Sequence, residues 1–254
     1  MKRVHFVNNY LLNPTHPITV TLIGVGGTGS QVLTGLARIN HALVELGRPG
    51  LHVVAYDPDI VTEANVGRQL FSLSDVGLNK ASVLVTRINR FFGTSWKSEP
   101  RLFCTGETSR TNIYISCVDS AKARLFIEDS LRRSVFGYDH TRKMYWLDFG
   151  NTVNSGQVVL GTLSDWDQPK SAKFETVSKM PTVTEMFDLT KVDDADSGPS
   201  CSLAEALRKQ DLFINSTLAD IGLALLWKLL TETLIDYRGA YINLNSMLVN
   251  PIKL

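Results

Sequence analysis

Ile18-Thr19-Val20-Thr21-Leu22-Ile23 runs directly into Gly24-Val25-Gly26-Gly27-Thr28-Gly29, and a periodic segment over residues 30–46 follows. The first six residues are apolar or β-branched, the composition of a strand buried on both faces. Val32, Leu33, Leu36, Ile39 and Leu43 recur at helical spacing, and Gly47-Arg48-Pro49-Gly50 ends the helix. A strand, a G-x-G-x-x-G turn and a helix open a Rossmann-like unit. In that setting Gly24 permits a tight turn, Gly26 lets backbone approach a phosphate, and Gly29 allows close helix–strand packing, with Gly27 inside the same loop. Free N–H groups and the helix dipole favour an anion there. By itself the loop is also compatible with a plain turn or a dinucleotide site.

Outward from this unit, strands and helices alternate. Residues 51–56 read as a second strand ending at Asp57, where an acid can hydrogen-bond ribose hydroxyls; a solvated strand-end carboxylate is the competing reading. Asp57 comes later than the usual spacing of about 20 residues, because residues 40–50 lengthen the connection. Ser74-Asp75 is expected to cap a helix reaching Phe91, followed by strands over 101–105 and 112–118, a helix over 120–135 and a strand over 143–148. The fold class implied is α/β: a doubly wound, mostly parallel sheet with helices on both faces. Past Gly150 the alternation weakens. Residues 153–163 read as extended or a hairpin, 165–200 as a long crossover loop, 212–236 as a helix and 240–244 as a late strand. The expected organisation is one domain over 1–254, with a nucleotide-binding core over 17–150 and an extension over 151–254.

Composition narrows the function classes. The 254 residues are 44% hydrophobic and 20% charged, with a formal net charge of +1, so no bulk field gathers nucleic acid or an anionic membrane. Cys104, Cys117 and Cys201 form no disulfide framework and suit the reducing cytosol. Residues 1–13 are too polar for a secretory segment, and the apolar run over 212–230 is interrupted by Asp220 and Lys228. The expectation is a soluble cytoplasmic protein.

Three further blocks decide between ATP and a dinucleotide. They are Asp57-Pro58-Asp59-Ile60-Val61-Thr62-Glu63-Ala64-Asn65-Val66-Gly67-Arg68-Gln69, then Gly77-Leu78-Asn79-Lys80, then Cys117-Val118-Asp119-Ser120. Hydride transfer has no need of Asn65, Arg68 and Lys80 together. A triphosphate does: arginine offers a planar fork to phosphate oxygens and lysine a compact charge. Asp119 at a strand end can hold Mg²⁺ beside phosphates. Taken singly, Arg68 reads as a solvated charge and Asp119 as a helix N-cap. Lys80 near a helix start is unfavourable to the dipole, a cost a bound phosphate would offset.

The glycine loop, D-x-D-x-V-x-x-x-N-x-x-R-Q, G-x-x-K and C-x-D-[NS], in that order, resemble the ThiF/MoeB/HesA branch of the ubiquitin-activating superfamily. Within it the chain is most similar to the ThiF-type protein of bacterial PRTRC systems. The resemblance implies an ATP- and Mg²⁺-dependent adenylyltransferase acting on the C-terminal carboxylate of a small ubiquitin-like or sulfur-carrier protein that ends in glycine. It places Asp57 on the ribose, Asn65 and Arg68 on the phosphates, Gln69 in the loop that presents them, Lys80 on the reacting α-phosphate and Asp119 with Mg²⁺. It also implies a homodimer, for which the apolar helix offers a face. Cys201 matches a cysteine that some relatives use as a thioester or persulfide carrier, and a structural role stays open beside that one. The onward acceptor is open too: a conjugating-type protein, a sulfur donor or a lysine. Ala64, Gly67 and Ser116 depart from the usual pattern without removing a charged group. The competing functions are a nicotinamide-dependent oxidoreductase and a non-catalytic scaffold subunit.

Overall fold

The computed structural model describes residues 1–104, 111–138, 143–192 and 210–254. In chain order the elements are β1 (Lys2–Phe6), α1 (Asn9–Leu12), β2 (Ile18–Ile23), α2 (Gly27–Glu45), β3 (Leu51–Tyr56), α3 (Lys80–Phe92), β4 (Lys97–Glu99), β5 (Ile113–Ser116) and α4 (Ala121–Tyr138). There follow β6 (Tyr145–Asn151), β7 (Ser155–Thr162), β8 (Phe174–Thr176), α5 (Val183–Met186), α6 (Ile214–Thr231), β9 (Leu234–Ile235), β10 (Tyr237–Asn243) and β11 (Leu248–Lys253).

Eight strands make one sheet in the order β11-β10-β7-β6-β5-β2-β3-β4. From β4 to β6 the pairs are parallel, and from β6 to β11 they are antiparallel. The parallel strands are the apolar ones because both their faces are covered. On one face Val20, Leu22, Val53 and Ile115 pack with Leu33 and Leu36 of α2, Leu84 and Ile88 of α3, and Leu218 and Leu226 of α6. On the other, Ile23, Tyr114 and Trp146 pack with Ile127 and Leu131 of α4 and Val183 of α5. The chain winds outward from β2 to β4 and then returns to the opposite side of β2 as β5. The crevice between the C-terminal ends of β2 and β5 is therefore the topological switch point, where open α/β sheets bind ligands.

Several boundaries differ from the sequence reading. Helix α3 starts at Lys80, with Asn79 as its cap: the Ser82 N–H donates to Asn79 Oδ1 at 3.0 Å. Ser72 and Asp75 instead close their own box around a single 3₁₀ turn, Leu73–Asp75. Residues 101–104 form no strand; the edge strand is the shorter β4, which precedes them. Helix α6 ends at Thr231, so residues 234–236 of the expected helix turn into β9 and its exit. The extension also contains β11, which pairs with β10 across a hairpin.

A separate sheet, β8-β1-β9, holds the N-terminal strand. Its anchor is His5, fully buried, with Nδ1 2.7 Å from the Val177 carbonyl and Nε2 3.0 Å from the Tyr145 hydroxyl. Burial lowers the His5 pKa, and the neutral ring is the form that donates to the carbonyl and accepts from the phenol. No described helix is long and apolar enough to cross a membrane.

Candidate nucleotide site

The glycine loop is built against backbone. Gly24 has φ of 88°, and a Cβ there would stand 2.8 Å from the Cys117 carbonyl oxygen. A Cβ on Gly29 would stand 1.9 Å from the Gly24 carbonyl oxygen. Both positions are filled by the protein itself, which excludes any side chain. Gly26 is the opposite case: nothing lies within 4 Å of where its Cβ would be. That opening sits at the N-terminus of α2, among the N–H groups a helix leaves unpaired.

Asp57 fixes the loop from the neighbouring strand. It is 4% exposed, its Oδ2 accepts the Val25 N–H at 2.6 Å, and its Oδ1 accepts the Asp59 N–H at 2.8 Å. It is not the solvated strand-end carboxylate of the simpler reading. Burial raises its pKa, while those two N–H groups and the Lys80 charge pull it back in part. Asn79 extends the brace, its amide donating to the carbonyls of Asp57 and Asp59 at 2.8 and 3.0 Å.

The segment from Asn65 to Gln69 wraps towards the start of α2. Asn65 Oδ1 accepts the Thr62 N–H at 2.9 Å, closing a 3₁₀ turn. The buried Ser30 hydroxyl lies within reach of the Leu70 N–H and donates to the Gly27 carbonyl at 3.0 Å. Arg68 is half-buried. Its Nη1 donates to Gln210 Oε1 at 2.6 Å, while its Nε is buried with no partner among the described residues. Gln69 is 6% exposed, and its Oε1 is likewise unpartnered. Burial lowers the Arg68 pKa. Two orphaned polar atoms in consecutive residues are rare enough in folded proteins to require a reason, and a polar ligand that they would contact is one.

Lys80 is buried at the first position of α3, with Nζ 2.9 Å from Asp59 Oδ2. The carboxylate of Asp59 is 63% exposed, so the pair opens on its acidic side. Asp119 is exposed on the loop between β5 and α4, and the helix cap is its neighbour: the Ala123 N–H donates to Ser120 Oγ at 3.1 Å. With the capping role taken by Ser120, the Asp119 carboxylate has no structural task among the described residues.

A family model described as the ThiF family matches residues 15–250. The chain belongs to the ThiF family. Among solved structures it is similar to selenomethionine PaaA, at 15% identity and a TM-score of 0.58, over 93% of this chain and 64% of that one. It is similar to E. coli MccB as well, at 15% identity and a TM-score of 0.58, over 96% of this chain and 63% of that one. The chain thus spans under two thirds of the length of each, and at this identity the likeness is one of fold. No curated protein sequence matches it.

Of the ThiF-family residues expected in the site, the structure draws Gly24, Gly26, Gly27, Gly29, Asp57, Arg68, Gln69 and Lys80 around the ends of β2 and β3, with Asn65 in the same loop and Asp119 across the switch point beyond β5. Arg68 and Lys80 are less exposed than the surface positions the sequence suggests. Cys201 lies outside the described residues. Burial pushes the Cys117 thiol well up, with Asp148 adding to it, as befits an inert residue packed against the core.

Sequence reading missed Arg124, which all but disappears into the protein at 8% exposed. Its Nε lies 3.1 Å from both oxygens of Asp148, its Nη1 donates to the Ser120 carbonyl at 3.2 Å, and its Nη2 to the carbonyls of Val118 and Phe149 at 2.7 and 2.8 Å. Asp148 also accepts from the Ser116 hydroxyl at 2.5 Å, and that hydroxyl accepts from Trp146 Nε1 at 2.7 Å. The guanidinium clamps both carbonyls that flank Asp119.

Proposed function

We propose that this chain is an ATP-dependent adenylyltransferase that activates the C-terminal carboxylate of a small ubiquitin-like or sulfur-carrier protein ending in glycine. The observation that carries the reading is Arg68: a half-buried side chain whose Nε is buried with no partner among the described residues, and whose Nη1 is linked through Gln210 and Asn215 to Thr28 at the start of α2. A phosphate oxygen would satisfy that nitrogen, and ATP suits the remaining donors. Gly26 leaves room for a phosphate over the α2 N-terminus. The amide nitrogen of Asn65 is the end of that side chain left for a ligand, since its oxygen closes the turn. Asp57 lies at the strand end suited to a ribose, with its loop-bracing bonds retained.

In this reading a carrier carboxylate oxygen attacks the α-phosphorus, the α–β phosphoanhydride bond breaks and pyrophosphate leaves. The nucleophile is already anionic, so no proton moves and no general base is required. The chain positions the reactants and stabilises charge: Arg68 holds phosphate oxygens, and Lys80 exchanges its exposed partner Asp59 for the charge developing at the α-phosphate. Asp119 fits a Mg²⁺ ligand, being exposed, anionic and unneeded by the fold, and the ion would neutralise phosphate charge. A thiolate at Cys201 would then displace AMP and leave the carrier as a thioester. The PRTRC-type assignment, the cytoplasmic location and the homodimer belong to the same proposal. Helix α6 directs Ile214, Leu218, Leu226, Leu229 and Leu230 into the core, so a dimer would use the other residues of that helix.

The test is ATP–pyrophosphate exchange in the presence of Mg²⁺ and a glycine-ended ubiquitin-like protein. Exchange that depends on the carrier supports the reading. Well-folded protein that binds no ATP overturns it, and retention of NAD in place of ATP would install an oxidoreductase instead.

A further inference from the structure

Asn215 is a polar side chain at the first turn of α6, a strongly apolar helix, and it is 3% exposed. It shares a helical stripe with Ala219, Gly222 and Leu226, all of them at the buried side of α6 or packed there. Such a position costs stability unless every hydrogen bond is made. Asn215 makes its bonds in one direction only. The Thr28 hydroxyl donates to Asn215 Oδ1 at 2.9 Å; Asn215 Nδ2 donates to Gln210 Oε1 at 2.9 Å; and the same Gln210 oxygen accepts Arg68 Nη1 at 2.6 Å. Thr28 is the second residue of α2, within the turn that faces an anion.

We propose that Asn215 and Gln210 are positioning residues of the nucleotide site: they fix the Arg68 guanidinium against the first turn of α2. The inference rests on the reading of Arg68 as a phosphate ligand. Gly27 supplies an independent observation. A Cβ there would stand 2.7 Å from Asn215 Nδ2, so this glycine keeps room for the Asn215 amide. The loop and the start of α6 are fitted to each other at atomic contact. The guanidinium, anchored at Nη1 by a neutral oxygen, keeps its full charge and leaves Nε unclaimed. A carboxylate in the place of Gln210 would compete with phosphate for that charge. An amide oxygen orients the fork and does not neutralise it.

A double-mutant cycle on nucleotide affinity tests this, with Kd for ATP and for AMP read by calorimetry on the full chain. Asn215→Ala and Gln210→Ala are each expected to weaken ATP about tenfold, the scale of one hydrogen bond to a charged group. The preference for ATP over AMP should move in each variant as it moves in Arg68→Ala, and neither change should add to the loss in an Arg68→Ala background. Gln210 is half-buried, so its substitution keeps the test available if Asn215→Ala folds poorly. A preference that moves otherwise than in Arg68→Ala, or losses that persist without Arg68, would overturn the relay and assign Asn215 to packing alone. Wild-type affinity for ATP in both variants would overturn it while leaving the adenylyltransferase reading intact. Wild-type protein that binds no ATP would overturn both.

Discussion

The segments after β3 and β5 flank the same glycine turn: Arg68 lies half-buried in the loop of the first, Arg124 lies buried in the first turn of α4 in the second, and the two arginines are used in opposite ways. Arg124 engages all three of its nitrogens with protein: a carboxylate and three main-chain carbonyls. Arg68 has one nitrogen on an amide oxygen and another buried with no partner among the described residues. A guanidinium whose donors all end on protein is part of the scaffold. One that is buried and partly unclaimed lowers stability in the absence of a ligand, and its place in the fold is explained by what it would bind. The switch point thus has one fixed side, which presents Asp119, and one incomplete side.

The largest effect should come from the fixed side. Arg124→Ala leaves Asp148, 1% exposed, as a buried charge without its counter-ion. Breaking such a pair from one side costs about 3–5 kcal/mol, and urea unfolding would read it. Arg124→Lys should recover only part, because an ammonium cannot reach Asp148 and three carbonyls together. If Arg124→Ala unfolds within about 1 kcal/mol of wild type, a surface-like effect, the clamp is not structural and the contrast fails.

On the incomplete side the expected loss moves from stability to rate. Arg68→Ala should slow carrier-dependent exchange by about 10²–10³-fold, roughly 2.7–4 kcal/mol, the scale of one preorganised donor. Its unfolding free energy should shift by no more than about 1 kcal/mol, since the change also removes an unsatisfied buried nitrogen. Lys80→Ala should behave alike: its partner Asp59 is mostly solvated, and ion pairs of that kind contribute about 0–1 kcal/mol. A variant that exchanges at the wild-type rate removes its residue from the site. One that unfolds as badly as Arg124→Ala makes both arginines scaffold.

What was legible in the sequence follows the same division. The β2 strand, the glycine loop and the Asp57-to-Gln69 block could be read because their signals are local: a run of apolar residues, glycines at fixed spacing, charges in one loop. The start of α3 was misplaced because Ser74-Asp75 has the composition of a helix cap; Asp75 does close a capping box, but with Ser72 and around a 3₁₀ turn only. Strand β1 was invisible because Lys2 and Arg3 are exposed and its pairing partners lie in β8 and β9, far along the chain. Arg124 and Asn215 were missed for a related reason. A polar residue on a helix reads as solvent-facing until its partners are known, and these lie at Asp148 for one and at Thr28 for the other. For Asn215 the stripe with Ala219, Gly222 and Leu226 was the available signal.

The glycine loop repeats the contrast within six residues and gives its most economical test. Gly29→Ala puts a methyl group 1.9 Å from the Gly24 carbonyl oxygen, a backbone atom held in turn by the loop and unable to swing aside. Helix α2 must shift away from β2, and overpacking of this kind costs about 1–3 kcal/mol. Gly26→Ala meets no atom within 4 Å, so any cost it carries comes from its own backbone and not from packing. The two variants therefore part company when ATP is added. Wild type should gain stability with ligand concentration, by about 2.7 kcal/mol at one hundred times Kd. Gly29→Ala, if it folds, should gain as well from its lower starting point, whereas Gly26→Ala should gain little, because its methyl group occupies the space left for phosphate. Thermal melts of the three proteins with and without Mg²⁺-ATP decide it. A full ATP-induced shift in Gly26→Ala would mean that the opening over the α2 N-terminus is not where phosphate sits, and the incomplete side of the switch point would have to be completed from elsewhere.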